Sequence, residues 1–332
     1  MPDAILHIGF GKTGTSSIQK HLSAHAADRI PGTNIVYCAW TREGALLCGN
    51  AITAAAAREP LGYISSTPIV PPTLTGLARG IAKIHESGLT PILSQEDWAR
   101  NGADFISAFE SLGLSLQVVA YVRPQIEWFN AGWWQWWAWE SGFSQPSEVI
   151  NAWGTHFLSW AAQLAKWAES DAVEKFDVRL HCDAVVSDFL SLIDGVPITE
   201  PDRSNSGIDP LLITLYQTFP KLRATHSSEV DIALSSLLSE KRGAPWVVSP
   251  DLADRIASST HDDNIALLQY LSPDQQETMK ADARWWNASA YAERFSASHS
   301  NEVLSHSDAL KLLEAIVPAY LEEKLFDRTY LS

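Results

Sequence analysis

The stretch Ile5-Leu6-His7-Ile8-Gly9-Phe10-Gly11-Lys12-Thr13-Gly14-Thr15-Ser16-Ser17-Ile18-Gln19 constrains the fold more than any other part of the chain. An apolar run of strand length meets a loop of glycine, lysine and hydroxyl residues, and a helix-compatible segment follows. This is the layout of a phosphate cradle. Glycines let the backbone close around an anion, and the first N–H groups of the new helix point at it. Lys12 adds a point charge, and Thr15, Ser16 and Ser17 add hydroxyl donors. In a Walker A loop, G-x-x-x-x-G-K-[ST], lysine follows the second glycine. Here Lys12 precedes Gly14, so the loop is a poor match to an ATPase or GTPase.

The rest of the first half repeats the theme. Residues 4–9 read as a strand and 15–27 as the helix it feeds, with a short strand near 34–37 and an alanine-rich helix over 41–58. Pro68, Pro71 and Pro72 mark a loop. A helix over 73–87 ends at Gly88, a strand covers 91–94, and a helix over 102–112 stops at Gly113. The unbroken apolar run 116–122 is a strand buried on both faces. This β-α repetition argues for an α/β fold, a parallel sheet with helices on both sides. Helices over 126–141 and 153–169 and a strand at 177–181 follow. Beyond them the pattern is almost wholly helical, at 183–194, 209–218, 228–240, 251–271 and 307–325. The expectation is a single domain over 1–332, with an α/β core to about residue 195 and a mainly helical extension after it.

Composition narrows the function classes. Hydrophobic residues make up 46% and charged residues 19%, as in ordinary globular chains. The formal net charge of −15 argues against a nucleic-acid or polyanion binder, which needs a basic face. An anionic ligand must then be held by a few local cations and backbone N–H groups. Cys38, Cys48 and Cys182 are odd in number and fit no metal-binding spacing, so they read as reduced thiols and no metal is expected. The sequence shows no signal-peptide pattern and no apolar run of transmembrane length, so a cytoplasmic location is expected.

In open parallel sheets ligands sit beyond the carboxyl ends of the strands. Three strand ends converge on such a place: the Lys12 loop, the segment Ser94-Gln95-Glu96-Asp97-Trp98, and Tyr121-Val122-Arg123-Pro124. They bring a cation, a carboxylate and a guanidinium. Glu96 is the candidate general base, with Asp97 as its competitor. His7, His21, His156 and His181 are isolated alternatives. Arg123 offers a planar fork suited to a phosphate.

The order Gly9-x-x-Lys12-Thr13-Gly14-Thr15-Ser16-Ser17 resembles the 5′-phosphosulfate loop of sulfotransferases that use 3′-phosphoadenylyl sulfate (PAPS), and the wording from His7 onward resembles their bacterial branch. Tyr121-Val122-Arg123-Pro124-Gln125 is similar to that family's 3′-phosphate motif, and Ser94-Gln95-Glu96 to its strand-end base segment. Trp167-Ala168-Glu169, Val178–His181, Ser187–Leu190 and Arg203-Ser204-Asn205-Ser206 extend the likeness to roughly residues 4–220. The resemblance implies a P-loop-NTPase-like α/β fold, PAPS as co-substrate, no metal, and sulfuryl transfer to a hydroxyl or amine of a carbohydrate or small molecule. It assigns Gly11, Lys12, Thr13, Gly14, Thr15, Ser16 and Ser17 to the phosphosulfate, Arg123 to the 3′-phosphate, and Glu96 to the acceptor's proton. One departure stands out. The family carries a serine eight residues after the arginine, and here that position is Ala131. It favours a binding protein that has lost the reaction. A nucleotide-dependent kinase is the other alternative, against which the lysine order counts.

The chain has 14 tryptophans, nine of them between residues 128 and 167. Trp153, Trp160 and Trp167 fall seven apart, a helical stripe that reads as packed core. Trp133, Trp134, Trp136, Trp137 and Trp139 instead spread around a helix at about 100° per residue. Trp133, Trp134 and Trp137, with His7 and Trp98, are the candidate acceptor contacts, and a homodimer interface is the competing reading of the cluster.

Overall fold

A computed structural model describes residues 2–59, 61–68, 74–140, 142–195, 207–218, 223, 231, 234–235 and 244–297. The helix expected at 307–325 and the Arg203–Ser206 stretch lie outside the described residues, as does most of the helix expected at 228–240. The chain divides into two compact units, each discontinuous in sequence. One comprises Met1–Trp128, Trp153–Asn205 and Ala253–Ala290, and the other Phe129–Ala152, Ser206–Leu252 and Tyr291–Ser332.

The first unit is α/β. Its strands are β1 (Ala4–His7), β2 (Ile35–Trp40), β3 (Leu46–Cys48), β4 (Thr90–Ser94), β5 (Leu116–Val122) and β6 (Val173–Leu180). They form one sheet in the order β3-β2-β4-β1-β5-β6, parallel throughout except for the β2–β3 pair. β1 lies between β4 and β5, with Ile5 level with Ile92 on one side and Gln117 on the other. All residues of β1, β4 and β5 are buried, as apolar strands covered on both faces must be. The chain reverses direction of winding around β1, so the loop after β1 opens at a topological switch point.

Helices cover both faces. α1 (Thr15–Ala24) leaves β1, α2 (Asn50–Ala56) follows β3, α3 (Leu74–Glu86) feeds β4, and α4 (Gly102–Glu110) joins β4 to β5. α7 (Trp160–Ala168) precedes β6 and α8 (Val185–Leu192) follows it; in sequence α5 (Gln125–Gln135), mostly of the second unit, follows β5, and α6 (Pro146–Trp153), also mostly of the second unit, precedes α7. On one face Ile18 and Leu22 of α1, Ile52 of α2 and Val186, Phe189 and Leu190 of α8 pack on Ile5, Ile92, Val119 and Tyr121. Elsewhere in this unit the Phe105 ring of α4 sits between Trp98 at 4.8 Å and Trp167 at 5.3 Å. All three rings are fully buried.

Three sequence expectations need correction. Residues 41–58 are not one helix but the strand β3 and the short α2. Gly44 and Gly49 both take positive φ, and Thr41 N–H bonds the Ala45 carbonyl, so a hairpin forms where alanine content suggested helix. Residues 153–169 break at Gly154, whose φ is +70°, so Trp153 ends α6 and stands 44% exposed while Trp160 and Trp167 are buried on α7. Residues 126–141 also break: α5 ends at Gln135, and a 3₁₀ turn covers Trp137–Trp139.

The C-terminal part is helical. α9 (Pro210–Thr218), α10 (Pro250–Leu267), α11 (Pro273–Ala281) and α12 (Ala292–Ala297) run without a further strand among the described residues. In the second unit, Leu212, Leu215 and Tyr216 of α9 form a small core. The Arg223 guanidinium lies 4.6 Å over the Trp139 ring and pairs with Asp231 at 2.7 Å. No helix among the described residues is long and apolar enough to cross a membrane.

Candidate active site

The carbonyls of Phe10, Gly11 and Lys12 in the loop after β1 are all engaged by side chains. The Phe10 carbonyl accepts the hydroxyls of Thr13 and Thr15, the Gly11 carbonyl accepts Trp128 Nε1 at 2.6 Å, and the Lys12 carbonyl accepts Arg123 Nη1 at 3.1 Å. The Gly14 carbonyl takes the N–H groups of Ser17 and Ile18 as α1 begins. Among the described residues, the N–H groups of Thr13, Gly14, Thr15 and Ser16 meet no acceptor, and no side chain caps α1. Lys12 has φ +63° and Gly14 φ +90°, so the chain enters α1 through two left-handed residues, at the positive end of the helix. Gly14 also lies against the start of α8, since a β-carbon there would stand 2.7 Å from Val185 Cγ1.

The hydroxyls of Thr13 and Thr15 are thus engaged within the loop, and both residues are buried. Ser16 Oγ accepts the Tyr63 hydroxyl at 3.2 Å. Ser17 is buried at the start of α1.

Glu96 follows β4 directly beside this loop. It is half-buried and has no hydrogen-bond or ion-pair partner among the described residues. Burial and then the neighbouring Asp97 carboxylate push its carboxyl above the usual range, and the Lys12 ammonium opposes them. Tyr63 belongs to the same place: burial raises its phenol, and Glu96 raises it further. Asp97 is exposed, and its side chain does not cap the 3₁₀ turn at Trp98–Asn101.

Tyr63 reaches the site on a strap of irregular chain that is fastened along its length. Ser23 Oγ accepts Ile64 N–H, the Tyr37 hydroxyl donates to the Ile64 carbonyl, Ser66 N–H donates to the Ser94 carbonyl, and Thr67 N–H to the Trp40 carbonyl. No periodicity marks such a segment, which is why the sequence gives Tyr63 no role. Trp128 is the second missed residue. It counted only as one aromatic among nine, and its N–H holds the Gly11 carbonyl.

Arg123 directly follows β5 and braces the loop. Its two terminal nitrogens are engaged, one on the Lys12 carbonyl and one on Glu127 at 2.9 Å, while Nε is buried without a partner. The nearly buried Glu127 also meets Arg284 Nη1 at 3.2 Å, so one carboxylate joins two guanidiniums. Trp160 Nε1 donates to the Arg123 carbonyl at 2.9 Å, and its ring lies 4.5 Å from Phe10 and 5.2 Å from Trp128. His181 shares this corner; burial and then the Arg123 charge push its imidazole down to about 4.

His7 is fully buried at the end of β1. Its Nδ1 pairs with Ser94 Oγ at 2.8 Å, which also accepts Gln19 Nε2 at 3.1 Å, and its Nε2 has no partner. Burial pushes its pKa down to about 3, so it is a neutral strut between β1 and β4. Of the other histidines, His21 stacks on His25 at 4.5 Å and His156 is exposed. Trp98 is fully buried and donates to the Thr67 carbonyl at 3.3 Å.

Trp133, Trp134 and Trp137 belong to the second unit, and all three are buried there. Trp134 Nε1 and Asn130 Nδ2 both donate to the Pro245 carbonyl, and the Trp137 ring lies 5.2 Å from Phe129. Trp133 and Trp134 lie on α5, and Trp137 lies on the 3₁₀ turn beyond its end. Among the described residues no group of three or more His, Cys, Asp or Glu side chains is placed to hold a metal ion.

No protein-family model and no curated protein matches the sequence. Among solved structures, a sulfotransferase from Alicyclobacillus acidocaldarius aligns over 83% of this chain and 99% of its own, with 12% identity and a TM-score of 0.40.

Proposed function

We propose that the chain is a PAPS-dependent sulfotransferase that acts on a hydroxyl or amine of a carbohydrate or other small molecule. The observation that carries this reading is the set of four amides that meet no acceptor among the described residues, Thr13 to Ser16, beside Lys12 and the unpartnered Glu96. Donors without acceptors at a helix N-terminus suit an anion with several oxygens, and a phosphosulfate has them. The donor set fits PAPS at this end. PAPS supplies the sulfuryl group and departs as adenosine 3′,5′-bisphosphate.

The chain's own residues have distinct parts in this scheme. Lys12 and the amides hold the sulfuryl and phosphate oxygens and stabilise the charge that grows on the leaving phosphate. Glu96, in its carboxylate form, takes the proton from the attacking hydroxyl as the new oxygen–sulfur bond forms. Tyr63, held on Ser16 and facing Glu96, orients the acceptor side. Arg123 positions the loop through the Lys12 carbonyl, and its Nε is the donor left over for the 3′-phosphate.

Calorimetric titration with adenosine 3′,5′-bisphosphate tests the reading. Saturable binding in the micromolar range is expected, and it should be weakened at least roughly 10-fold in Lys12→Ala. Absence of binding at millimolar nucleotide would overturn the proposal. Binding without transfer to any acceptor would instead identify a protein that keeps the cradle and has lost the reaction, the reading that Ala131 favours.

A further inference from the structure

The sheet edge far from the anion loop carries a pair of thiols that the proposed chemistry does not use. Cys38 on β2 and Cys48 on β3 stand directly opposite each other in antiparallel register, with their sulfurs 2.8 Å apart. Counted from the bond between Thr41 N–H and the Ala45 carbonyl, the ladder alternation makes Cys38–Cys48 a non-hydrogen-bonded pair. Facing Cα atoms at such pairs lie about 4.5 Å apart with their side chains closest together. A disulfide bridges Cα separations of about 4.4–6.8 Å, so no backbone shift is needed to bring the sulfurs within bonding reach.

The two thiols are also unequal in the way an exchange reaction requires. Cys38 is buried, whereas Cys48 is partly exposed on the short edge strand. The hydrogen bond between them favours the thiolate on Cys48 and disfavours it on Cys38. Cys182 is exposed just after β6, at the opposite edge of the sheet, and has no such neighbour.

We propose that Cys38 and Cys48 form a reversible cross-strand disulfide, closed by exchange with a low-molecular-weight disulfide. The Cys48 thiolate attacks one sulfur of the small disulfide, whose other half leaves as a thiolate. The Cys38 sulfur, on losing its proton, then attacks the Cys48 sulfur of the mixed disulfide and expels the second half. Two protein thiols are oxidised to one S–S bond, and one small disulfide is reduced to two thiols. The product ties the three-residue edge strand β3 to β2. A dithiol reductant reverses it.

The test uses the full chain in native buffer with oxidised glutathione, followed by alkylation and tryptic mapping without reduction. Cleavage after Arg42 separates the two cysteines, so the bond should join the peptides 30–42 and 43–58, lighter by the two lost hydrogens. Dithiothreitol should restore both peptides as separate alkylated species. In Cys38→Ser a glutathione adduct on Cys48 should persist for want of its resolving partner, and in Cys48→Ser Cys38 should remain unmodified. The proposal is overturned if Cys182 takes up glutathione while peptides 30–42 and 43–58 stay unlinked, or if the Cys48 adduct persists in the unsubstituted chain. It is also overturned if Cys38 is modified as readily in Cys48→Ser as Cys182 is.

Discussion

Gly9 rests directly on the backbone of Glu96: a β-carbon built on Gly9 would stand 2.1 Å from the Glu96 carbonyl oxygen. The phosphate-type loop and the candidate base are therefore locked to each other through main chain, one strand apart. Gly9 also has φ +101°, a region that other residues reach only with strain. Gly9→Ala should destabilise the protein by about 3 kcal/mol, since neither backbone can yield cheaply. Chemical denaturation would read this, and a loss below 1 kcal/mol would show that the two segments move apart freely.

Lys12 combines a left-handed backbone with the charge of the site. Lys12→Gly keeps the first and removes the second. It should leave stability near that of the parent and weaken adenosine 3′,5′-bisphosphate binding roughly 10- to 100-fold, the worth of a charge-assisted hydrogen bond. Calorimetry on the two proteins decides it.

Glu96 carries a prediction with two signs. Its folded pKa lies above its unfolded value, because burial and Asp97 outweigh Lys12. In the window between the two values the folded state binds more protons, so stability falls as pH rises through it. Glu96→Gln should accordingly raise the thermal midpoint at pH 7 and lower turnover, with little change in nucleotide affinity. The parent's kcat should fall as pH drops through the raised Glu96 pKa, and this limb should vanish from any residual activity of the variant. Full activity in Glu96→Gln would remove it as the base.

Trp128 and Arg123 hold the loop carbonyls. Trp128→Phe keeps much of the ring and deletes the donor to Gly11, leaving a buried acceptor unsatisfied at a cost of about 1–3 kcal/mol. Nucleotide binding should weaken with the cradle's order, although Trp128 contacts the loop rather than its ligand. Unchanged affinity together with unchanged stability would show that the loop needs no such brace.

Tyr63 should act on the acceptor side. Tyr63→Phe removes the hydrogen bond to Ser16, and its effect should fall on kcat and the acceptor KM more than on nucleotide binding. An equal loss in nucleotide affinity would assign Tyr63 to the donor side instead.

The first strand, the loop, α1, β4 and β5 were all legible because each carries its own local signal. β1 and β5 are short apolar runs, and glycines mark the turns at Gly88 and Gly113. Where composition spoke against local punctuation it misled: alanines suggested a helix at 41–58, but Gly44 and Gly49 redirected the chain into a hairpin. The heptad spacing of Trp153, Trp160 and Trp167 misled for the same reason, because Gly154 interrupts the helix that the spacing assumed.

By itself the sequence determined that an anion-type loop would follow a buried strand, with Glu96 and Arg123 at the ends of two others. Sheet order brings these ends together, because β1 lies between β4 and β5. Only the tertiary structure decided which atoms the loop presents. Its Gly11 and Lys12 carbonyls are held by Trp128, 117 residues from Gly11, and by Arg123, 111 residues from Lys12. Only the tertiary structure brought Tyr63 to Ser16 across 47 residues of sequence. Such contacts depend on packing and register between distant segments, and no local periodicity or turn signal encodes them.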